Sequence, residues 1–305
     1  MKTWLFTLCF LYLARVNAQA PKVSLGSVTR VANFQSKYIS ARNVDIWLPP
    51  GFSNKNKYAV LYMHDGQMLF DSTTTWNKTA WNVDKVLAPL MKEQKIRNVI
   101  VVGIWNGGST RHAEYFPQKP YELLTQVEKD TVRSQLRQSV RTKEGFNPTS
   151  DLYLKFLVEE LKPFIDGNYP TASEKNSTFI AGSSMGGLIS LYALCEYPTV
   201  FGGAACMSTH WPGSFSANDN PMPEAFRHYL AGHLPNPESH KIYFDYGDKT
   251  LDALYPPLQA KVDEVLKAKG FTERNWVTRF FPGDDHSERS WSKRLAFPAL
   301  FLLKK

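Results

Sequence analysis

Two adjacent serines, Ser183 and Ser184, lie between glycines in the stretch NSTFIAGSSMGGLISLYALCEYP, residues 176–198. Only one register fits the pattern Gly-x-Ser-x-Gly, namely Gly182-Ser183-Ser184-Met185-Gly186; centred on Ser183, the flanks would be Ala181 and Met185. The demand behind the pattern is steric. A serine is exposed at a strand-to-helix corner only if the chain turns sharply, and strand and helix then crowd each other two residues to either side. The apolar run before Ser184 reads as a strand and MGGLISLYAL after it as a helix, which supplies that context. Ser184 is therefore the candidate nucleophile. The helix N-terminus carries partial positive charge, and the Met185 N–H lies where an oxyanion would develop.

A serine of this kind needs an imidazole oriented by a carboxylate. On a sheet of this type the partners follow in the order Ser, Asp or Glu, His, on loops at the carboxyl ends of strands. Of seven histidines, only His286 follows the last predicted strand, in FFPGDDHSERSW, so it is the expected base. His64 ends an early strand. His210, with Trp211 beside it, ends the strand after the serine, so these flank the same edge. His112, His228, His233 and His240 fall in polar or helical surroundings and are expected at the surface. The acid should follow the strand KIYFDYG. Asp252 sits deep enough in that loop to reach back and is favoured. Asp248 comes directly after the glycine, where an Asx turn explains it, and Asp245 within the strand is a third choice. Asp284 and Asp285 read as a solvated turn; with no second histidine at ligand spacing, neither a metal nor a cofactor is called for.

The second oxyanion donor is expected in HDGQMLFD, where Gly66 allows close backbone approach and Gln67 offers its N–H. Gly66, His210 and Trp211 are candidate substrate contacts on that edge.

These residues need a scaffold. Residues 23–48 alternate apolar and polar, as in an antiparallel hairpin. Then strands and helices alternate: KYAVLYMHDG, WNVDKVLAPLMKEQ, RNVIVVGIWNGG and, beyond residue 150, four more strands interleaved with helices. That order predicts an α/β fold with a mostly parallel central sheet of about eight strands and helices on both faces. Ser150 and Asp151 are cap candidates for the helix SDLYLKFLVEELKPFIDGNY. The alternation lapses between Gly107 and Ser150, which reads as a cap-like insertion at about 107–150 containing one helix, YELLTQVEKDTVRSQLRQSVR. There Lys129, Arg133, Arg137 and Arg141 recur every fourth residue beside Val132, Leu136 and Val140, a basic stripe next to an apolar one. A lid helix with a solvated charged face explains the stripe; the sharper expectation is a cap that recognises anionic acyl groups.

The chain has 305 residues, 43% hydrophobic and 21% charged, enough apolar material for one large domain. Its first stretch is a separate object: Lys2, an apolar run from Trp4 to Ala14 and small residues after it predict a secretory signal over 1–18, cut after Ala18. Residues 19–305 then form a single exported domain with no stable membrane span. Losing Lys2 and Arg15 lowers the formal charge from +8 to +6. That excess is spread along the chain without nucleic-acid motifs, so no nucleic-acid partner is expected. Cys195 and Cys206 remain and read as buried free thiols. Asn77-Lys78-Thr79 and Asn176-Ser177-Thr178 match the glycosylation pattern.

Five segments in order, YMHDGQMLFD, GIWNGGSTRHAEYFP, AGSSMGGLISLYA, YFDYGDKTLDALY and FPGDDHSERSWSKRL, resemble the putative-esterase family of α/β-hydrolases. That family includes enterochelin and feruloyl esterases, S-formylglutathione hydrolases and mycolyl transferases. The likeness runs from about residue 35 to the C-terminus. It implies Ser184 as nucleophile, His286 as base, Asp252 as acid and an oxyanion hole shaped by Gly66 and Gln67. It also sets Asn106, Arg111 and Glu114 near the mouth of the site, the first two as candidate substrate contacts, with an Arg111–Glu114 pair as one structural use. Asp248 departs from the small polar residue that similar chains tend to carry. The expected partner is a small-molecule ester of siderophore, feruloyl or acyl-sugar type, with an anionic acyl group as the sharper expectation. Acyl transfer with the same triad and a non-catalytic ligand-binding protein are the alternatives.

Overall fold

The computed structural model describes residues 19–140, 146–214, 216 and 219–304. The expected signal at 1–18 and Arg141 of the basic stripe lie outside them.

Eight strands form one sheet: β1 (Ser27–Phe34), β2 (Arg42–Leu48), β3 (Ala59–Met63), β4 (Val99–Ile104), β5 (Thr178–Ser183), β6 (Gly203–Met207), β7 (Lys241–Tyr246) and β8 (Trp276–Phe280). Their order across the sheet is β1-β2-β4-β3-β5-β6-β7-β8. The β1–β2 and β2–β4 pairs are antiparallel and the rest are parallel. The predicted hairpin thus forms the antiparallel edge of an otherwise parallel sheet.

The helices are α1 (Val83–Lys92), α2 (Arg111–Tyr115), α3 (Gln118–Glu122), α4 (Gln126–Val140), α5 (Ser150–Lys155), α6 (Lys162–Asn168), α7 (Met185–Glu196), α8 (Met222–His233), α9 (Pro256–Ala268), α10 (Glu288–Arg294) and α11 (Ala296–Leu302). A π-turn, Phe156–Leu161, joins α5 to α6.

The strands are apolar on both faces, as a covered parallel sheet requires. In β3, Val60 and Tyr62 join one apolar cluster and Leu61 and Met63 the other. The first cluster includes residues of α5, α7 and α8; the second includes residues of α1, α10 and α11. Helix α7 is buried from Met185 through Cys195 and is accordingly apolar all round. Cys195 and Cys206 are free and buried.

Three local expectations are corrected. Among the described residues the insertion holds three helices, α2, α3 and α4, and the stretch expected as its single helix is split between the last two. Thr125 breaks it with a reciprocal capping box: its backbone N–H donates to Glu128 Oε2 (2.8 Å) while its Oγ1 accepts from the Glu128 N–H (3.3 Å). The α5 cap position is Thr149, and Ser150 Oγ instead accepts the Gln118 N–H. His112 and His240 are buried, not at the surface. His112 packs between Phe116 and Phe146, and His240 Nε2 meets the Pro198 carbonyl at 2.7 Å.

Parallel strands all end on one edge. On leaving β3 the chain crosses to β4 on one side; on leaving β5 it crosses to β6 on the other. The carboxyl ends of β3 and β5 therefore flank the point where the winding reverses, where such sheets hold their ligands.

Candidate active site

Ser183 is the last residue of β5 and is buried, whereas Ser184 is half-buried. Ser184 adopts φ 57° and ψ −122°, a region a serine occupies only under constraint. The constraint comes from both sides. Its N–H donates to the Met207 carbonyl (2.9 Å), and its carbonyl accepts from the Gly187 and His210 N–H groups (3.0 and 3.2 Å). A Cβ at Gly182 would lie 2.7 Å from the Gly186 carbonyl carbon, which is the crowding the sequence pattern implied.

The loop after β7 carries Asp252, fully buried, and the loop after β8 carries His286, 13% exposed. Asp252 Oδ1 lies 2.6 Å from His286 Nδ1. The His286 ring packs edge-on against Tyr255 and Trp291, at 5.8 and 5.0 Å between centroids. The His286 backbone N–H donates to Thr250 Oγ1 (2.9 Å). The Tyr255 hydroxyl in turn meets His210 Nδ1 at 2.9 Å, which ties His286 to the residue that holds the Ser184 carbonyl.

Asp248 is elsewhere: its carboxylate accepts the Gly283 N–H (2.9 Å) and faces Lys249. Asp245 is buried and pairs with Arg294 at 3.0 Å. Burial pushes Asp245 up to about 6 against the pull of Arg294. Burial also opposes ionisation of Asp252, but hydrogen bonds from His286, Ser208 and the Gly247 N–H outweigh it and hold that carboxyl below its ordinary value.

The sequence reading missed the support beneath Asp252. Ser208 Oγ donates to Asp252 Oδ2 (2.6 Å), and the same oxygen accepts from Trp291 Nε1 (2.9 Å) and the Arg294 guanidinium (2.6 Å). Arg294 also reaches Asp284 (3.3 Å). So Asp284 is a buried ion-pair partner, and Asp285 accepts from Ser287, Ser290 and Arg289; the expected solvated turn is replaced by these bonds. Two signals were available: a small polar residue directly after β6, and an arginine, Arg294, at the start of the apolar C-terminal run.

Beside the elbow, after the end of β3, Gly66 begins a short 3-10 turn that contains Gln67 and Met68. Among the described residues, neither the Gln67 nor the Met185 N–H has an acceptor. Gly66 is required by packing: a Cβ there would lie 2.5 Å from the Gly103 carbonyl carbon, so its close approach is to β4. The Gln67 side chain accepts the Asn106 N–H (3.2 Å).

The expected Arg111–Glu114 pair does not form. Arg111 binds both carboxylate oxygens of Asp65 at 2.7 Å, and Asn106 Nδ2 donates to Asp65 at the same distance. Glu114 instead accepts two bonds from buried Arg42, at 2.8 and 2.9 Å. Asp65 sits in the left-handed region, φ 55°, which turns its carboxylate toward α2. Trp211, expected to touch substrate, is 1% exposed and donates to Gln259 Oε1 (2.8 Å), so it is a core anchor. His210 is equally buried and acts on the elbow through its backbone.

Two of the four cations of the basic stripe are engaged internally. Lys129 donates to the Glu122 carbonyl, and Arg133 to Asp130, Asn147 and the Phe146 carbonyl. Val132 and Leu136 beside them are fully buried. These bonds lash α4 to its neighbours through Lys129 and Arg133, while Arg137 is exposed.

The family model described as Putative esterase matches residues 37–303. The chain belongs to that family. The protein is thus an esterase of the α/β-hydrolase fold. It is 24% identical over 259 residues to "Uncharacterized protein YbbA" of Bacillus subtilis (strain 168), covering 83% of this chain and 89% of the relative. It is also 24% identical to an endo-1,4-beta-xylanase/feruloyl esterase of Xylanibacter ruminicola, over 92% of this chain but 32% of that one. Among solved structures it is similar to the enterobactin esterase FES of Shigella flexneri, with a TM-score of 0.64 and 18% identity over 95% of this chain and 61% of that one. No described helix of this esterase is long and apolar enough to cross a membrane.

Proposed function

We propose that this esterase is an exported serine hydrolase that works through an acyl-enzyme. The observation that carries the reading is the 2.6 Å pair of His286 and buried Asp252, set on the same sheet edge as the Ser184 elbow. Ser184 Oγ attacks the ester carbonyl as His286 Nε2 takes its proton. Asp252 accepts from His286 Nδ1–H, which keeps the lone pair on Nε2 and stabilises the imidazolium. The oxyanion meets the Met185 and Gln67 N–H groups, each worth about 3 kcal/mol in the transition state. Collapse breaks the C–O bond, and His286 returns the proton to the leaving alcohol. Water then repeats the sequence on the acyl-enzyme and frees the acid.

Export is supported by the leader-like pattern of residues 1–18, with 19–305 as the working domain. The insertion at 107–150 supplies Arg111 to the crevice mouth, and Asn106 stands just before it. With Arg111 neutralised by Asp65, the mouth favours neutral esters. Feruloyl, siderophore and acyl-sugar esters are the proposed classes, the first two supported by the names of the relatives. The test is product analysis on methyl ferulate, enterobactin and an acetylated sugar, each with and without an added alcohol. Free acid as the main product under both conditions is expected. No turnover of any of them, or transfer to the alcohol in place of hydrolysis, overturns the reading.

A further inference from the structure

The sheet has a second end, and it is built differently. Arg97 stands just before β4, Asn176 just before β5, Lys241 opens β7 and Arg274 stands just before β8. Together they line a cleft of about 720 Å³. The parallel strands between this cleft and the Ser184 edge are five or six residues long, so the two sites lie roughly 20 Å apart.

The cations of this cleft are held by neutral groups. Arg97 donates to the carbonyls of Asn176 (2.9 Å) and Lys304 (3.4 Å) and lies over the face of Phe179. Lys241 reaches the Phe301 carbonyl at 3.4 Å and lies over the Phe301 ring. Arg274 is exposed at the rim. Among the described residues no carboxylate forms an ion pair with any of the three, and Arg97 Nε is buried without an acceptor. Burial, with Arg97 and Lys304 close by, lowers the affinity of Lys241 for its proton. Glu238 also lines the cleft and Glu174 feels the Arg97 charge, but neither is in contact with the three cations, so like charges are gathered here and only partly compensated. A bound anion would relieve that cost.

We infer that this cleft is a second binding site, for a tetrahedral oxyanion, phosphate or sulfate, free or carried on a sugar. The guanidinium groups of Arg97 and Arg274 suit two oxygens of such a group, and Lys241 adds a point charge. The volume falls in the range of small-molecule sites, about 300–1,000 Å³, and exceeds what a bare ion fills. Asn176, Ser239 and Thr272 add polar lining suited to sugar hydroxyls.

Isothermal titration at low ionic strength tests this with three probes: inorganic phosphate, glucose 6-phosphate and glucose. The wild-type protein should bind both phosphates and not glucose. Tighter binding of glucose 6-phosphate assigns the site to a sugar-borne group; equal binding assigns it to the free ion. The double substitution R97Q/K241Q should weaken binding at least tenfold, and R274Q, at an exposed side chain that tolerates change, about threefold or more. Hydrolysis of a small aryl ester should stay within twofold of wild type in both. Absence of phosphate binding by the wild-type protein, or unchanged affinity in the folded variants, overturns the inference.

Discussion

The Ser208 hydroxyl gives its proton to Asp252 because its other two partners can only donate. Trp291 Nε1–H and the Arg294 guanidinium occupy both lone pairs of Ser208 Oγ, so its O–H must point at Asp252 Oδ2, 2.6 Å away. The Gly247 N–H (2.7 Å) binds the same carboxylate oxygen. Asp252 is thereby held as an anion with its remaining oxygen turned to His286.

Ser208→Ala should therefore lower kcat about 10- to 100-fold with KM little changed, the loss of a bond to a charged group being worth about 1.5–3 kcal/mol. Two buried donors also lose their acceptor, so the protein should unfold more easily. The pH profile separates the effects. Asp252 loses one of the bonds that keep its carboxyl low, so activity should fall away at a higher pH on acidification than in wild type. An unmoved acidic limb would leave Ser208 a packing residue only.

The two aspartates of the β7 loop should behave differently. Asp252→Asn is expected to cost about 10⁴ in kcat, through the wrong imidazole tautomer. Asp248→Asn removes a carboxylate that binds only Gly283 and Lys249, and should change kcat less than threefold. Steady-state kinetics on any ester the enzyme turns over will decide; a reversed ranking would move the acid to Asp248.

Gly182→Ala places a methyl group 2.7 Å from the Gly186 backbone. Neither strand β5 nor helix α7 can withdraw, since both are buried. Destabilisation of about 3 kcal/mol is expected in denaturant unfolding, at the upper end for overpacking. Because relief would have to come from rotating the elbow, kcat should fall as well.

Acid should weaken the fold through His112. Burial holds this imidazole neutral down to about 4, against 6.5 in the unfolded chain. Between those values the unfolded state binds a proton and the folded state does not, so stability falls as pH falls. From pH 7 to 5 this residue alone costs about 2 kcal/mol. Asp245, raised to about 6, works the other way in the same window, so the comparison must be with a variant. His112→Phe keeps the ring between Phe116 and Phe146 and should lose about 2 kcal/mol less than wild type over that range. Equal losses would contradict the assignment.

What could be read from the sequence was local. The glycines around Ser184 answer to a steric demand within five residues, and the alternation of apolar runs answers to burial of a covered sheet. Asp252 stood out by its place in a loop. The network around Ser208 could not be read so, because Asp252, Trp291 and Arg294 lie 44, 83 and 86 residues away. Arg111 illustrates the same limit: a carboxylate three residues on looked like its partner, yet the αL turn at Asp65 delivers a better one 46 residues back. His112 and His240 were misread because polar neighbours in sequence do not report burial in space. The break at Thr125 was legible, since Thr-x-x-Glu was in view.

Covalent labelling of the 19–305 protein by a fluorophosphonate, read by intact mass, tests the central claim most directly. One adduct on the wild-type protein is expected, absent from Ser184→Ala and lost or greatly slowed in His286→Ala. No adduct on folded wild-type protein, or an adduct that persists in Ser184→Ala, would contradict an activated Ser184.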